Sequence, residues 1–239
     1  MSKDSDLMTK IRIALIFAAV AGFFVYAYAA SGSRRPETGH DIAVKGVVKG
    51  IPACASCHGA NGAGRLSVGI PRLAGLSSFY IDSQLRYFAD GKRANDIMSP
   101  YAKMLTPTER NAVADFFAAK TIDEFPARAR FKLAPARSAE FAEGREIAEN
   151  GIWQRAMPAC GLCHGATGAG VGAEFPALAG QSRGYLIGQL DAWKANRRRT
   201  PLGKFMRAEA LHMDQADIKA VATYYALLPQ AHQHVGDKK

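Results

Sequence analysis

The cysteines of this chain occur in two short strings of nearly the same sequence, and in each string a histidine directly follows the second cysteine. In "PACASCHGANGAG" this histidine is His58, and in "PACGLCHGATGAG" it is His164. A Cys-x-x-Cys pair can be a redox dithiol, half of a zinc site or a covalent anchor for a haem. No cysteine remains for a disulfide or a nucleophile, because the chain contains only Cys54, Cys57, Cys160 and Cys163.

Haem attachment explains these strings better than the other two chemistries. A thioredoxin-like dithiol needs a strand followed by a helix, and no such context is visible. Tetrahedral zinc needs four ligands, whereas each string offers two cysteines and an adjacent histidine that cannot easily share one site with both thiolates. In Cys-x-x-Cys-His, both thiols bond to one porphyrin and the next side chain binds its iron. We therefore predict two covalent haem c groups, with His58 and His164 as iron ligands.

Two methionines are the predicted second axial ligands. Met98 and Met206 each stand eight residues before the predicted start of the last helix in their half of the chain, so they are equivalent positions. Met104 fails this test, because its equivalent is His212. His212 itself stays open as an alternative ligand of the second haem. The ligand pairs are therefore predicted as His58 with Met98 and His164 with Met206.

The elements that position these residues are also present twice. Residues 51–64 match residues 157–170 at an offset of 106, and the sequences that follow match at offsets of 105 to 108. A period of this length indicates two duplicated domains rather than a solenoid. We expect the first domain at 46–124 and the second at 138–230, joined by a connector at 125–137 that contains two prolines. A tail follows at 231–239.

The pattern of apolar residues predicts helices throughout. A helix capped by Ser78 runs to Gly91, and Thr106 to Glu109 reads as a capping box that opens the last helix of the first domain. In the second domain, helices are expected from about Ser138 to Asn150 and from Asp214 to Pro229. The helix that precedes the first cysteine string is expected to be short or absent. The fold class is therefore all-α.

The N-terminus predicts export and a membrane anchor. Residues 13–30 form an uncharged, mostly apolar run that would be ~27 Å long as a helix, about the thickness of the bilayer core. Cations in residues 1–12 place the N-terminus in the cytoplasm and the remaining chain in the periplasm of a bacterial inner membrane. A signal peptide is the alternative, with Ala27-Tyr28-Ala29 as its cleavage site. Residues 31–45 are expected to be a linker.

The formal charge of +10 gives a clue to partners only. Basic chains often bind nucleic acid, but this one has no recognised binding motif and no dense run of Lys and Arg. We therefore expect no nucleic acid as partner. A cationic surface would instead favour docking to acidic proteins or to an anionic membrane surface.

The chain resembles the cytochrome c4 family, which consists of two tandem class I cytochrome c domains with two haems. The motifs that carry the resemblance are Cys-x-x-Cys-His-Gly, Pro-x-Leu-Ala-Gly, Tyr, Gln-Leu with an aromatic residue, Arg, Met and a capped last helix, from about Gly50 to Leu228. The resemblance implies that the carbonyl groups of Pro71 and Pro176 accept hydrogen bonds from His58 and His164.

Filled axial positions leave outer-sphere electron transfer as the expected chemistry, without a small-molecule substrate and without enzymatic activity. The resemblance implies a respiratory carrier between a quinol-oxidising cytochrome bc1-type complex and a terminal haem-copper oxidase, for example of the cbb3 type. The alternative is a cytochrome subunit that accepts electrons from a periplasmic dehydrogenase complex.

Overall fold

The computed structural model describes residues 38–47, 50–120 and 135–229, with side chains of the third range from residue 137. The predicted cytoplasmic N-terminus at 1–12, the anchor at 13–30, most of the connector and the tail at 231–239 lie outside these residues. Among the described residues the secondary structure is helical, and β pairing is limited to isolated bridges. The all-α prediction is confirmed for this part of the chain. No helix within it is both long enough and apolar enough to cross a bilayer.

The described part of the first domain contains five α-helices and one 3-10 turn. They are α1 (Gly39–Lys45), α2 (Ala55–His58), the 3-10 turn Leu66–Val68, α3 (Ser78–Ala89), α4 (Met98–Met104) and α5 (Pro107–Ala118). The second domain repeats the five α-helices, but its 3-10 turn precedes the cysteine helix instead of following it. Its elements are α6 (Pro135–Asn150), the 3-10 turn Trp153–Arg155, α7 (Gly161–His164), α8 (Arg183–Lys194), α9 (Gly203–His212) and α10 (Gln215–Leu227).

The two domains pack their helices in the same way. The first helix of each domain packs against the last, so α1 contacts α5 as α6 contacts α10. The long central helix, α3 or α8, packs against the two helices that follow it. Phe117 in α5 and Ile218 in α10 are almost fully buried in the respective cores. The duplication read from the sequence is therefore a duplication of the fold.

Helix α1 corrects the prediction that residues 31–45 are a linker. Its Ile42 and Ala43 are fully buried in the core of the first domain, and the Thr38 side chain caps its N-terminus by accepting a hydrogen bond from the Asp41 amide. Helix α1 has seven residues, which is too few to show a helical period in the sequence. The first domain therefore begins at about Thr38.

The helix caps agree with the sequence at two sites and differ at a third. Thr106 and Glu109 form the expected capping box, and Asp214 forms the equivalent one with Asp217. The cap of α3 is Ser77 and not Ser78, since the Ser77 hydroxyl accepts the Tyr80 amide at 3.0 Å. The sequence alone cannot decide between two adjacent serines as the N-cap, because both have the same capping side chain. The backbone geometry of the folded chain shows which of the two caps the helix.

Candidate cofactor sites and the domain boundary

Each cysteine string forms a single helical turn that ends in its histidine. Cys54 and Cys160 are the N-cap residues of α2 and α7, and the last residues of these helices are His58 and His164. All four thiols are unpaired. In each string the first cysteine is half-buried and the second is exposed. The second cysteine of each pair is thus open to solvent, whereas the thiol of the first is largely buried.

The first thiol of each pair is poorly suited to redox or zinc chemistry. Burial raises the pKa of Cys160 to about 11, and it also raises the pKa of Cys54. Reactive dithiols and zinc-bound thiolates need the opposite shift, because the thiolate is the active form. Among the described residues, no three His, Cys, Asp or Glu side chains lie together as a zinc site requires. The geometry supports covalent attachment.

The histidines are held in the tautomer that an iron ligand requires. The Nδ1 atom of His58 lies 3.0 Å from the carbonyl oxygen of Pro71, and that of His164 lies 2.9 Å from the carbonyl oxygen of Pro176. A carbonyl oxygen only accepts, so Nδ1 carries the hydrogen and Nε2 keeps its lone pair. Burial lowers the pKa of both imidazoles, which favours the neutral form. These are the contacts that the family resemblance implied.

The predicted methionine ligands occupy equivalent helices. Met98 is the first residue of α4, and Met206 lies in α9; both are partly buried. Met104, at the end of α4, is 36% exposed, whereas Met213 is buried in the core of the second domain. His212 is exposed, and its backbone carbonyl accepts a hydrogen bond from Arg155. The assignment of Met98 and Met206 as axial ligands stays a prediction.

Three extra residues in the second domain lengthen the methionine helix. Residues 203–205 form the first turn of α9, so Met206 is the fourth residue of its helix, whereas Met98 is the first of α4. Gly203 allows this because a Cβ there would collide with the Thr200 hydroxyl and lie 3.1 Å from Nε1 of Trp193. The three inserted residues therefore extend the helix and do not form a loop.

The two domains are joined by polar contacts that the sequence did not predict. The N-cap serines of α3 and α8 each donate a hydrogen bond to the other domain, Ser77 to the Ala173 carbonyl and Ser182 to the Leu66 carbonyl. Arg72, which directly follows Pro71, is fully buried and exchanges two backbone hydrogen bonds with the Gln181 side chain. The available signal was that the two serines are equivalent residues at an offset of 105.

Two covalent attachment motifs, each with a buried and correctly oriented histidine, define a dihaem c-type cytochrome. A family profile described as Cytochrome c matches residues 45–119 and 141–226. The chain therefore belongs to the cytochrome c family, and within it to the dihaem, cytochrome c4-like class I proteins. It binds two covalent haem c groups and is an electron carrier.

Relatives of two kinds support this assignment. The thiosulfate dehydrogenase electron acceptor of Thiomonas intermedia (strain K12) is 43% identical over 179 residues, which cover 74% of this chain and 79% of the relative. The solved cytochrome c4 of Acidithiobacillus ferrooxidans is 34% identical, with a TM-score of 0.63; the match covers 73% of this chain and 98% of that one.

A solved structure of a dehydrogenase contains a similar fold. The as-isolated thiosulfate dehydrogenase from Marichromatium purpuratum matches with a TM-score of 0.70 and 41% identity. The match covers 80% of this chain but only 40% of that chain. About four fifths of the present chain thus matches about two fifths of the longer chain.

Proposed function

We propose that this protein is the electron acceptor of a thiosulfate dehydrogenase. The observation that carries the proposal is its 43% identity, over 74% of the chain, to a protein of that name. The similarity to part of a thiosulfate dehydrogenase chain supports it independently. This corresponds to the alternative from the sequence, a cytochrome that accepts electrons from a dehydrogenase complex. The relatives described above give no support to a cytochrome bc1-type complex as donor.

The architecture of both sites suits electron transfer to a protein partner. Each bound haem accepts one electron as its iron passes from ferric to ferrous, so one chain takes up two electrons. His58 and His164 are buried at 8% and 7% exposure, which keeps one axial side of each site away from solvent. Cys57 and Cys163 are exposed, so the attachment edge of each site lies at the surface, where a partner can approach.

The test is reduction of the purified dihaem protein by a thiosulfate dehydrogenase. We expect the ferrous haem absorbance to appear when dehydrogenase and thiosulfate are both present, and not when either is omitted. Reduction by a cytochrome bc1-type complex with quinol serves as the comparison. If the bc1-type complex reduces the protein and the dehydrogenase with thiosulfate does not, the proposal is wrong and the respiratory carrier function replaces it.

The proposal includes the cellular location and the onward route of the electrons. The apolar run at 13–30, preceded by cations, supports a bacterial inner-membrane anchor with the haem domains in the periplasm. From there a terminal haem-copper oxidase is the proposed acceptor. Membrane fractionation tests the anchor: detergent should release the protein, whereas high salt should not. The mass of the mature chain distinguishes the anchor from a cleaved signal peptide.

A further inference from the structure

One peptide group joins the iron ligand of the first domain to the second domain. The carbonyl oxygen of the peptide between Pro71 and Arg72 accepts the hydrogen bond from Nδ1 of His58 at 3.0 Å. The N–H of the same peptide donates to Oε1 of Gln181 at 2.8 Å. A peptide group is planar and rigid, so a contact that holds its N–H also fixes the direction of its C=O. Gln181 and His58 are therefore linked through a single peptide group, although they belong to different domains.

The side chain of Gln181 is itself held in place. Its Nε2 donates to the Arg72 carbonyl at 3.1 Å, and its Oε1 also accepts the Ser182 amide at 3.0 Å. Gln181 is 2% exposed and Arg72 is fully buried, so these bonds lie in an interior where they are stronger than in water. The Arg72 guanidinium adds a contact to the second domain, because it donates to the Ala179 carbonyl at 3.1 Å. The peptide that binds His58 therefore has a fixed acceptor in Gln181.

Hydrogen bonds in series polarise one another, which gives this link a chemical effect. When Gln181 accepts the N–H of Arg72, electron density in that peptide shifts towards the carbonyl oxygen, which becomes a stronger acceptor for His58. A hydrogen bond at Nδ1 raises the basicity of a ligand histidine and fixes the orientation of its ring. Gln181 can therefore affect the imidazole that binds iron without touching it.

The reverse contact, from the first domain to the second, is apolar. At an offset of 105, Leu76 is equivalent to Gln181, and Ala177 is equivalent to Arg72. Leu76 has no side-chain hydrogen-bonding group, so it cannot hold the peptide between Pro176 and Ala177. Ala177 is instead buried in the same apolar core cluster as Leu76. At these positions, hydrogen-bonded support for a histidine crosses the boundary in one direction.

The support that each histidine loop receives from its own domain is the same in both halves. The Leu73 amide donates to the Gly62 carbonyl at 2.8 Å, and the equivalent Leu178 amide donates to the Gly168 carbonyl at 2.8 Å. The two halves therefore differ in the contact with Gln181 and not in these loop contacts. This makes His164 an internal reference for His58 within one molecule.

We propose that Gln181, a residue of the second domain, is a positioning residue for the iron ligand His58 of the first domain. It acts through the peptide between Pro71 and Arg72, and Leu76 gives no such support to His164. Loss of the Gln181 amide should therefore weaken the Nδ1 hydrogen bond of His58. The bond of His164 should be unchanged, although His164 lies in the same domain as Gln181.

The experiment follows the Nδ1 protons of both ligand histidines by NMR, in the ferrous dihaem protein labelled with 15N-histidine. Nuclear Overhauser contacts assign each proton to its histidine. Gln181→Leu introduces the residue of the equivalent position in the first domain. We expect the Nδ1 proton of His58 to exchange with deuterium roughly tenfold faster in this variant, as expected for the loss of one or two neutral hydrogen bonds. Its resonance should also move upfield, whereas the proton of His164 should keep its exchange rate and its chemical shift.

Gln189→Leu is the matched control. Gln189 is another glutamine of the second domain whose side chain bonds across the boundary, since it accepts from Arg93 at 2.7 Å. Arg93 is not part of a peptide that binds a ligand histidine. This variant therefore loosens the boundary without removing the link to His58, and both Nδ1 protons should exchange as in the wild-type protein.

A second variant covers the case in which Gln181→Leu does not fold. Gln181→Asn keeps an amide but is shorter by one methylene, so it cannot hold both the N–H and the carbonyl of Arg72. Exchange at His58 should again be faster, by a smaller factor. Equal acceleration at both histidines, acceleration at His164 alone, no change at His58, or the same acceleration in Gln189→Leu would overturn the proposal.

Discussion

Gly39 packs directly against the backbone carbonyl of Ala112, where the first and last helices of the first domain cross, and a Cβ at this position would overlap the carbonyl oxygen. Gly144 has the same relationship to Ala220 in the second domain. Both glycines have ordinary helical backbone conformations, so the requirement is for space and not for an unusual φ. Each helix crossing therefore requires glycine at this position, because any side chain would prevent the close approach of the two backbones.

Substitution of Gly144 by alanine should destabilise the second domain. The added methyl group must push α6 away from α10, and overpacking of this kind costs about 1–3 kcal/mol. Denaturant unfolding of the dihaem protein measures the loss. Gly188→Ala in α8 is the matched control, because nothing lies within 4 Å of its Cβ position. That variant should be neutral or more stable by up to about 1 kcal/mol.

Replacement of Met98 should remove the sixth ligand of the first haem. We expect Met98→Ala to abolish about half of the long-wavelength charge-transfer band that a methionine–iron bond gives in the ferric protein, and Met206→Ala to abolish the other half. Met104→Ala is the control, since Met104 is exposed at the far end of the same helix. Loss of the band in the Met104 variant would show that the register of the two halves was assigned wrongly.

The capping box at Thr106 should contribute measurably to the stability of the first domain. The Thr106 hydroxyl accepts the Glu109 amide at 3.2 Å, and the Glu109 carboxylate accepts the Thr106 amide at 2.6 Å. Thr106→Ala should lower the free energy of unfolding by about 1 kcal/mol. Thr108→Ala, two residues further along the same exposed turn, should have little effect. Equal losses in both variants would rule out a specific capping contribution.

Glu140 should make the free energy of unfolding of the second domain depend on pH, with a loss of stability at low pH. Its carboxylate accepts from the Thr223 hydroxyl at 2.7 Å and from Arg183 at 3.1 Å, and these contacts lower the pKa of Glu140 below its ordinary value of 4.5. A lowered pKa in the folded state means that this stabilisation is complete above pH 4.5 and is lost as the pH falls through the folded value.

Glu140→Gln should therefore cost roughly 1 kcal/mol at pH 7, a modest value because the site is partly exposed, and much less well below pH 4.5. Unfolding free energies of the variant and the wild-type protein at both pH values measure the difference. Glu143→Gln, on an exposed part of the same helix, is the control. A penalty that does not change with pH would contradict the assigned role of the carboxylate charge.

The features that the sequence predicted are those encoded within a few residues. His58 follows its cysteine pair directly, and the capping box of Thr106 spans four residues, so both could be recognised without knowledge of the fold. Helix α1, expected to be short or absent, could not be located in the sequence because it is a single short segment whose Ile42 is buried in the core of the first domain. Periodicity cannot reveal a helix of this length.

The contacts of Arg93 and Arg198 with the opposite domain lay beyond prediction for a different reason. Arg93 and Gln189 are 96 residues apart and bond only because the two halves pack with their equivalent faces together. The repeat in the sequence shows that Arg93 and Arg198 correspond, but it does not show that they meet. Charge composition gave no hint either, because a count of charged residues does not show that these two cations are buried.

Arg93 donates to Gln189 of the second domain, and Arg198 donates to Gln84 of the first. This crossed bonding also has an evolutionary meaning. A boundary in which equivalent residues face one another is self-complementary, as in an isologous homodimer with a two-fold axis. Either half on its own would present both the donors and the acceptors needed to pair with a second copy. Covalent linkage of two such copies frees each to diverge, and the added turn in α9 and the one-sided contact of Arg72 with Gln181 record that divergence.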